Sequence, residues 1–326
     1  MNNSIENEKT TSTQTTETTG NMLLQTEKPQ ALIDNVMHDR DIKKVADKQA
    51  VTKILVQIGL YAFLVFMALI VIFPFYWMMI SSVKTLDEYN LTVPTLWPQF
   101  FDKFNYKEAF NTASLGRLFM NTLLVGIVST VLSLIITILS AFAFARLEFK
   151  GKNALFAFLL ATMMIPGELF TITNYQTVSK WNWLDTYQVL IIPFLVSVFY
   201  IYLLKQNFLQ IPNELYLAAK VDGTTDFKYL CKVMIPLALP TLISITILKM
   251  MGAWNTYMWP KLVTSNPDMY LITIGLRDAF AAPDGGQIDF PVQMAAVAMV
   301  SAPLFMVFIF LRKYIMKGVS RSGIKG

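Results

Sequence analysis

The chain has 326 residues, of which 54% are hydrophobic and only 15% are charged, and it carries a net charge of +5. Soluble domains have about 25% charged residues, so this composition predicts a polytopic membrane protein. A single cysteine, Cys231, excludes an intramolecular disulfide and a multi-cysteine metal site, and a single histidine, His38, excludes a Ser-His-Asp triad within the spans. Basic residues of membrane proteins collect in cytoplasmic loops, so the positive charge does not indicate a nucleic-acid partner.

The N-terminal residues 1–50 are predicted to be a disordered cytoplasmic tail. The segment "TTSTQTTETTG" is too polar to bury the apolar surface that folding requires. Between Met22 and Ala50 the sequence leaves a second interpretation open, which is a short amphipathic helix on the membrane surface.

Six apolar runs follow the tail, and each approaches the ~20 residues that a helix needs to cross a bilayer. They lie near residues 54–80, 117–145, 154–174, 188–204, 236–257 and 291–311. Because only helices or closed barrels satisfy the backbone inside a bilayer, runs of this length predict helices. The predicted fold is therefore all-α, with six transmembrane helices. Its parts are a first helix with an outer loop (51–116), a five-helix core (117–311) and a C-terminal tail (312–326).

The distribution of Lys and Arg predicts which side of the membrane each loop faces. With both termini in the cytoplasm, nineteen of the 27 basic residues fall on the inner side and seven on the outer side. An excess of this kind sets membrane topology, so both termini are predicted to be cytoplasmic. The longest inner loop is then 205–235, between the fourth and fifth spans.

This inner loop contains most of the segment "ELYLAAKVDGTTDFKYLCKVMIPLALP" (residues 214–240), which is unusually polar for its surroundings. Its apolar face, at helical spacing, consists of Ile211, Leu215, Ala218 and Ala219. Asp222-Gly223 is a turn dipeptide, and Pro236 fits the start of the fifth span. A helix-turn-helix on the cytoplasmic face is predicted. The residues alone leave two roles open: insertion into a groove of a soluble partner, or an amphipathic loop resting on lipid.

The same segment resembles the cytoplasmic "EAA" signature of binding-protein-dependent ABC import permeases, in which E-A-A-x-x-D-G precedes a hydrophobic-Pro pair. Here "LAAKVDG" matches, and Pro236 stands thirteen residues after Gly223 as the pattern requires. Leu217 occupies the position of the motif's glutamate, and Glu214, one helical turn earlier, is the nearest acidic substitute. "NTLLVG", "AFAFARLEFKG", "MMIPGE", "GAWNTYMWP" and "GVSRSGIKG" occur in the family's order and resemble its sugar-importing branch, similar to the maltose-type second permease.

The resemblance implies a type I ABC importer permease in the bacterial plasma membrane, with no catalytic activity of its own. It implies a second permease subunit, two ATPase subunits that bind ATP and Mg²⁺, an extracellular solute-binding protein and a carbohydrate substrate. The nucleotide-binding pattern G-x-x-x-x-G-K-[ST] is absent from this chain, which is expected to bind no cofactor or metal. The inner loop would be the coupling helix against the ATPase subunit, formed by Glu214, Leu217, Ala218, Ala219, Asp222 and Gly223.

Two charged residues near bilayer depth are candidates for the solute pathway, because a charge there is costly and usually functional. Glu168 follows Pro166-Gly167 and fits the outer interface equally well. Lys249 lies within the fifth span and has two structural alternatives, which are reaching toward the outer headgroups or pairing with Glu168.

Four uncharged residues complete the candidate pathway, and each has a structural alternative. Asn121 and Asn255 either line a cavity or bond to a neighbouring helix. Trp254 and Tyr257 either stack on a sugar ring or belong to the interfacial aromatic belt. Asp284-Gly285-Gly286 is predicted to be a turn of an outer loop.

The sequence therefore predicts the permease subunit of an ATP-driven importer for a carbohydrate. One alternative is the same machinery importing glycerol phosphate or an acidic sugar. Two others come from different classes: a self-sufficient secondary transporter, and a membrane scaffold without transport. No inverted repeat is visible, and Lys249 is one deep charge, too few for a proton relay, which disfavours the secondary transporter.

Overall fold

The structure is a computed structural model that describes the backbone of residues 52–281 and 288–320, and side chains up to Arg312. Outside the described residues lie the predicted N-terminal tail with its amphipathic alternative, the Asp284-Gly285-Gly286 turn and the last six residues. Two compact units divide the chain after Pro74. The first contains the start of an apolar helix, and every contact discussed below lies within the second.

Within the described residues every regular element is helical. The first eight helices are α1 (Thr52–Ser81), α2 (Leu86–Tyr89), α3 (Phe104–Thr112), α4 (Leu115–Arg146), α5 (Lys152–Thr162), α6 (Thr171–Lys180), α7 (Tyr187–Ile191) and α8 (Val198–Leu209). The others are α9 (Asn213–Val221), α10 (Asp226–Tyr229), α11 (Ile235–Leu237), α12 (Leu239–Asn255), α13 (Met258–Val263), α14 (Ile272–Ala279) and α15 (Phe290–Ser320). Short turns of 3₁₀ helix precede α6, follow α7 and precede α14, and a π-helical turn, Leu230–Met234, joins α10 to α11.

Three helices in the described chain are long and apolar enough to cross a membrane, and three bent pairs raise the number to as many as six. The straight ones are Thr52–Ser81, Leu115–Arg146 and Phe290–Arg312. The bent pairs are Lys152–Thr162 with Gly167–Lys180 (85°), Tyr187–Phe194 with Val198–Leu209 (46°), and Asp226–Leu237 with Leu239–Asn255 (80°). The apolar runs thus correspond to helices, while the count of six spans and the cytoplasmic termini stay predictions.

Each bend lies where the sequence interrupts the helical backbone. Pro166 lacks an N–H and disfavours a helical conformation of the residue before it. The first helix of the third apolar run therefore ends before Pro166. Ser197 has extended backbone and accepts a hydrogen bond from the Tyr200 N–H, so it begins a new helix at α8. Pro240 lies in the first turn of α12, where a missing N–H costs nothing.

Helix α4 is the centre of the second unit, because it packs against α8, α12 and α14. A stripe of buried hydroxyl side chains allows the close approach of neighbouring helices, as small residues do in membrane proteins. They are Thr122, Ser129, Thr130, Ser133 and Thr137. One apolar cluster surrounds the start of α4 and includes Trp254 and the first turns of α15, and another surrounds its end and includes Phe208, Tyr229 and Met234.

The segment that follows α1 is held together by two buried charged side chains. Lys84, 1% exposed, donates to the Thr95 carbonyl at 2.5 Å. The Glu88 carboxylate, 5% exposed, accepts from Thr95 Oγ1 at 2.6 Å and from the Gln99 N–H at 3.0 Å. Burial opposes ionisation, but these hydrogen bonds, with one from Phe100, hold the pKa of Glu88 below its ordinary value. We call residues 82–105 the predicted outer loop.

Candidate functional site

The predicted helix-turn-helix is present, and its turn depends on one glycine. Helix α9 ends at Val221, after which the Gly223 N–H donates to the Lys220 carbonyl and the Thr224 N–H to the Ala219 carbonyl at 2.8 Å. These two bonds form a Schellman motif, which needs a left-handed residue. Gly223 supplies it with φ of 69°. We call α9, this turn and α10 the inner hairpin.

A polar cluster fixes the angle between the two helices of the inner hairpin. Asp226 on α10 accepts from the Tyr216 hydroxyl at 2.9 Å and pairs with Lys220 Nζ at 2.7 Å. The hydrogen bonds from Lys220 and Tyr216 hold the pKa of Asp226 below its ordinary value. The Tyr216 ring also packs against the Tyr229 ring at 5.2 Å. These contacts therefore link the two helices of the inner hairpin.

The outward side of the inner hairpin is apolar and lacks cover within the described chain. Val221 is 88% exposed, Phe227 is 68% exposed and Leu217 is 55% exposed. Ala218 is also exposed, whereas Ala219 packs against the core cluster at the end of α4. The predicted apolar face is thus divided, because Ala219 points inward while Leu215 and Ala218 point outward. We call Leu217, Val221 and Phe227 the apolar edge.

The remaining predicted residues of the loop lie beside this edge. Glu214 is exposed in the first turn of α9, where a carboxylate is favoured by the helix dipole. Asp222 caps the end of α9 through its backbone N–H, which donates to the Ala218 carbonyl at 3.0 Å. Asp222 and Gly223 therefore shape the hairpin, while Glu214 and the apolar edge are free to contact a partner.

Sequence reasoning missed the residue that joins the inner hairpin to the spans. Arg146 ends α4, and its buried guanidinium donates to the carbonyls of Phe208 at 2.9 Å and Ile211 at 2.6 Å. Both carbonyls lie just before α9. A lone basic residue closing the apolar run "AFAFAR" was the available signal, but its partners lie 62 and 65 residues away.

A cavity of about 350 Å³ lies between α4, the α7–α8 break, α12 and α13. Its wall is mainly apolar, with polar groups from Ser129, Ser197, Tyr200, Lys249 and Thr256. Lys249 Nζ donates to the Phe194 carbonyl at 2.5 Å. Of the six predicted pathway residues, all of which the structure describes, Lys249 alone lines this cavity.

Asn121 hydrogen-bonds to neighbouring segments of the chain, as the second of its two interpretations predicts. Its amide donates to the carbonyls of Asp268 at 2.7 Å and Tyr270 at 3.1 Å. Its oxygen accepts from the Tyr187 hydroxyl at 3.0 Å. The side chain thus joins α4 to two other segments, which occupies the groups that a solute would use.

The other pathway candidates are also placed by contacts within the chain. Trp254 is buried, with its ring 5.7 Å from that of Phe119, and Asn255 donates to the Met251 carbonyl of its own helix at 2.8 Å. The Tyr257 hydroxyl accepts from Arg277 at 2.8 Å. Glu168 is exposed in the 3₁₀ turn after Pro166, and Lys249 bonds to a carbonyl rather than to Glu168.

The arrangement of helices is that of an ABC importer permease. A chain of a bacterial ABC transporter involved in the import of the acidic polysaccharide alginate superposes with a TM-score of 0.74 at 22% identity, covering 80% of this chain and 96% of that one. A likeness at this identity establishes the fold.

Sequence comparison establishes the family. Residues 133–321 match the family described as "Binding-protein-dependent transport system inner membrane component", and the chain belongs to it. The arabinooligosaccharides transport system permease protein AraQ of Halalkalibacterium halodurans is 31% identical over 80% of this chain and 94% of its own length. The sn-glycerol-3-phosphate transport system permease protein UgpE of Rhizobium meliloti is 30% identical over 77% and 91%.

The chain is therefore a multi-pass protein of a bacterial plasma membrane and a transport protein, as its family and its apolar helices indicate. Permeases of this family work with an ATPase and a solute-binding protein in general. Membership confirms the resemblance stated from the "LAAKVDG" segment and the motifs around it.

Proposed function

We propose that this chain is a permease subunit that forms the pathway for a carbohydrate and couples to an ATPase subunit through the inner hairpin. Its partners are a second permease subunit, two ATPase subunits that bind ATP and Mg²⁺, and an extracellular solute-binding protein. The observation that carries the coupling proposal is the apolar edge, held outward on a hairpin of fixed shape. The cytoplasmic position of the hairpin is part of the proposal.

The energetics favour a protein partner for the apolar edge. Full burial of a Val, Leu or Phe side chain stabilises by about 1.5–3 kcal/mol, and Val221 is 88% exposed. The hairpin is already ordered by the Gly223 turn and the Asp226 cluster, so a partner loses little entropy in binding it. A short apolar helix of this kind suits a groove on another protein.

A lipid surface is the alternative occupant of the same edge. Lys220 and Lys228 flank it and suit anionic headgroups. However, Lys220 is engaged by Asp226, which lowers the positive charge available to lipid. The ATPase subunit is therefore the preferred occupant, and lipid contact is the contrasting outcome of the experiment below.

A carbohydrate is the substrate class that the relatives support. The Halalkalibacterium halodurans relative is named for arabinooligosaccharides, and the Rhizobium meliloti relative for sn-glycerol-3-phosphate. Both are similar to this chain over most of their length. We take an oligosaccharide as the substrate and keep glycerol phosphate or an acidic sugar as the alternative within the same machinery.

Copurification tests the coupling proposal. A tagged chain extracted from its own cells should bring down an ATP-hydrolysing subunit, and Val221→Asp combined with Leu217→Asp should abolish that recovery. The matched control is Val93→Asp, which changes another highly exposed valine, in the predicted outer loop. A stoichiometric ATPase in the control but not in the double variant supports the proposal. Equal ATPase recovery from the wild type, the double variant and the control would mean that the apolar edge faces lipid. Extraction of the wild-type chain without any ATPase would favour a secondary transporter.

A further inference from the structure

The ammonium group of Lys249 uses only part of its hydrogen-bonding capacity. The hydrogen bond that it makes within the described residues runs to the Phe194 carbonyl at 2.5 Å. The helix itself does not use the Phe194 carbonyl, because the turn that contains Phe194 ends there and α8 begins only at Val198. An ammonium has three donors, so two N–H groups remain available beside the cavity.

The positive charge of Lys249 has no counter-charge in the described part of the chain. No aspartate or glutamate lines the cavity, and the ion pairs found among the described residues do not include Lys249. A carbonyl dipole satisfies a donor but does not neutralise a charge. A charge within a span is costly and is usually paired, so an anion at this position would be favoured.

The neighbouring polar groups also present hydrogen-bond donors to the cavity. Ser197 Oγ accepts from the Tyr200 N–H, which leaves its own hydroxyl hydrogen free to donate. Tyr200 lines the same wall. The Trp259 indole N–H is already bonded to the Val189 carbonyl, so its ring contributes an apolar surface. The Lys249 ammonium and the Ser197 hydroxyl beside the aromatic side chains of Tyr200 and Trp259 match an oxyanion attached to a ring.

We infer that the cavity beside Lys249 binds the oxyanion of an acidic solute, either a carboxylate or a phosphate ester. This inference rests on the proposed function and deepens it, because it favours the acidic alternative, an acidic sugar or glycerol phosphate, over a neutral oligosaccharide. At about 350 Å³ the cavity is at the small end of ligand sites and fits one sugar-sized unit. Lys249 and the Ser197 hydroxyl hold the charged oxygens, and the Trp259 ring lies against the apolar face of the unit.

The test uses the assembled importer in membrane vesicles and a reporter thiol on the cavity wall. Cys231→Ser removes the chain's cysteine, and Val196→Cys places a new thiol at an exposed position that lines the cavity. The rate of labelling by an anionic methanethiosulfonate is compared with that by a cationic one. We expect the anionic reagent to react faster, and Lys249→Met to lower the ratio of the two rates about tenfold, because it removes the local charge and keeps the bulk.

Protection of the thiol then identifies the ligand chemistry. The probes are D-galacturonate, D-galactose and inorganic phosphate. We expect galacturonate to slow labelling at a concentration about tenfold lower than galactose does, because a charge-assisted hydrogen bond is stronger than a neutral one. Lys249→Arg should retain this preference and Lys249→Met should lose it. Protection by galacturonate alone assigns a carboxylate, and protection by phosphate alone assigns a phosphate ester.

Three results would overturn the inference. One is an anionic-to-cationic rate ratio that is unchanged by Lys249→Met, and another is equal protection by galactose and galacturonate. The third is loss of assembly in Lys249→Met that Lys249→Arg restores, which would assign the counter-charge to another subunit. In the first two cases ATPase recovery through the inner hairpin is unaffected, and in the third it is restored by Lys249→Arg, so failure here is distinguishable from failure of the proposed function.

Discussion

The predicted outer loop and the inner hairpin are both polar segments that join membrane helices, but they differ in whether the charged side chains that hold them together are buried. In the outer loop, charged groups are buried and satisfied within the segment, as Lys84 and Glu88 show. In the inner hairpin, polar groups fix the shape, and apolar side chains such as Val221 remain exposed. The outer loop also exposes apolar side chains, Val93 and Phe100 among them. The difference therefore lies in the charged groups: those that hold the outer loop together are buried, whereas Lys220 and Asp226 of the inner hairpin are partly exposed.

This difference indicates where mutations act. A change at the buried Lys84 or Glu88 of the outer loop should lower the stability of the chain, since it removes hydrogen bonds that hold the segment together. A change in the apolar edge should leave stability nearly unaltered and weaken association or coupling. The four predictions below run from the largest expected effect to the smallest.

Glu88→Ala should destabilise the isolated chain by about 1–3 kcal/mol, because it removes the buried carboxylate that accepts from the Thr95 hydroxyl and from the Gln99 and Phe100 N–H groups. The measurement is the thermal unfolding midpoint in detergent. Glu108→Ala is the control, since Glu108 is an exposed carboxylate on the neighbouring helix α3. Equal midpoints for the two variants would show that the buried cluster does not stabilise the loop.

Gly223→Val should uncouple ATP hydrolysis from uptake and lower transport about tenfold or more, with the chain still in the membrane. A β-branched residue at a φ of 69° is strained by roughly 1–3 kcal/mol, although nothing lies within 4 Å of the added Cβ. Gly223→Asn is the matched control, because asparagine tolerates the left-handed conformation. Unchanged transport in the valine variant would contradict the coupling role of the hairpin.

The stability contributed by Glu88 should depend on pH in one direction. Its pKa is lowered in the folded chain, so its contribution is present above the ordinary carboxyl pKa and is lost as pH falls through the lowered value. The difference in unfolding midpoint between the wild type and Glu88→Gln should therefore shrink from about pH 7 to about pH 3.5. A difference that grows on acidification would reverse the assignment.

Leu217→Ala should weaken association with the ATPase subunit several-fold, and Glu214→Gln should weaken it less. The reason is that truncating an apolar contact costs about 1 kcal/mol or more, whereas an exposed ion pair contributes about 0–1 kcal/mol. Titration of the permease with purified ATPase subunit measures both. The opposite order would show that Glu214 replaces the glutamate of the family's motif.

The apolar runs predicted where helices form, because burial in lipid requires length and hydrophobicity that one sequence displays locally. The second run, 117–145, corresponds closely to α4 (Leu115–Arg146). The third run did not reveal its 85° bend, although Pro166 marked the place, because the angle depends on neighbouring helices. The Gly223 turn was predictable for the same local reason, since its conformation is set by adjacent residues.

Long-range polar contacts could not be predicted from the sequence. The bond from Lys249 to the Phe194 carbonyl spans 55 residues, and the partners of Arg146 are backbone atoms with no sequence signature. Asn121 and Trp254 had two interpretations each. The position of Asn121 favours its bonds to neighbouring segments, whereas Trp254 is buried in a core cluster, which neither of its interpretations described. Local conformation is encoded locally, whereas pairing across the fold is not.

Site-specific crosslinking tests the central claim most directly. In a Cys231→Ser background, Val221→Cys places a thiol on the apolar edge and Phe100→Cys places one on the predicted outer loop, both at exposed positions. In transport-competent complexes we predict that Val221→Cys crosslinks to the ATPase subunit and that Phe100→Cys does not. An ATPase crosslink from Phe100→Cys, or none from Val221→Cys, would contradict the account.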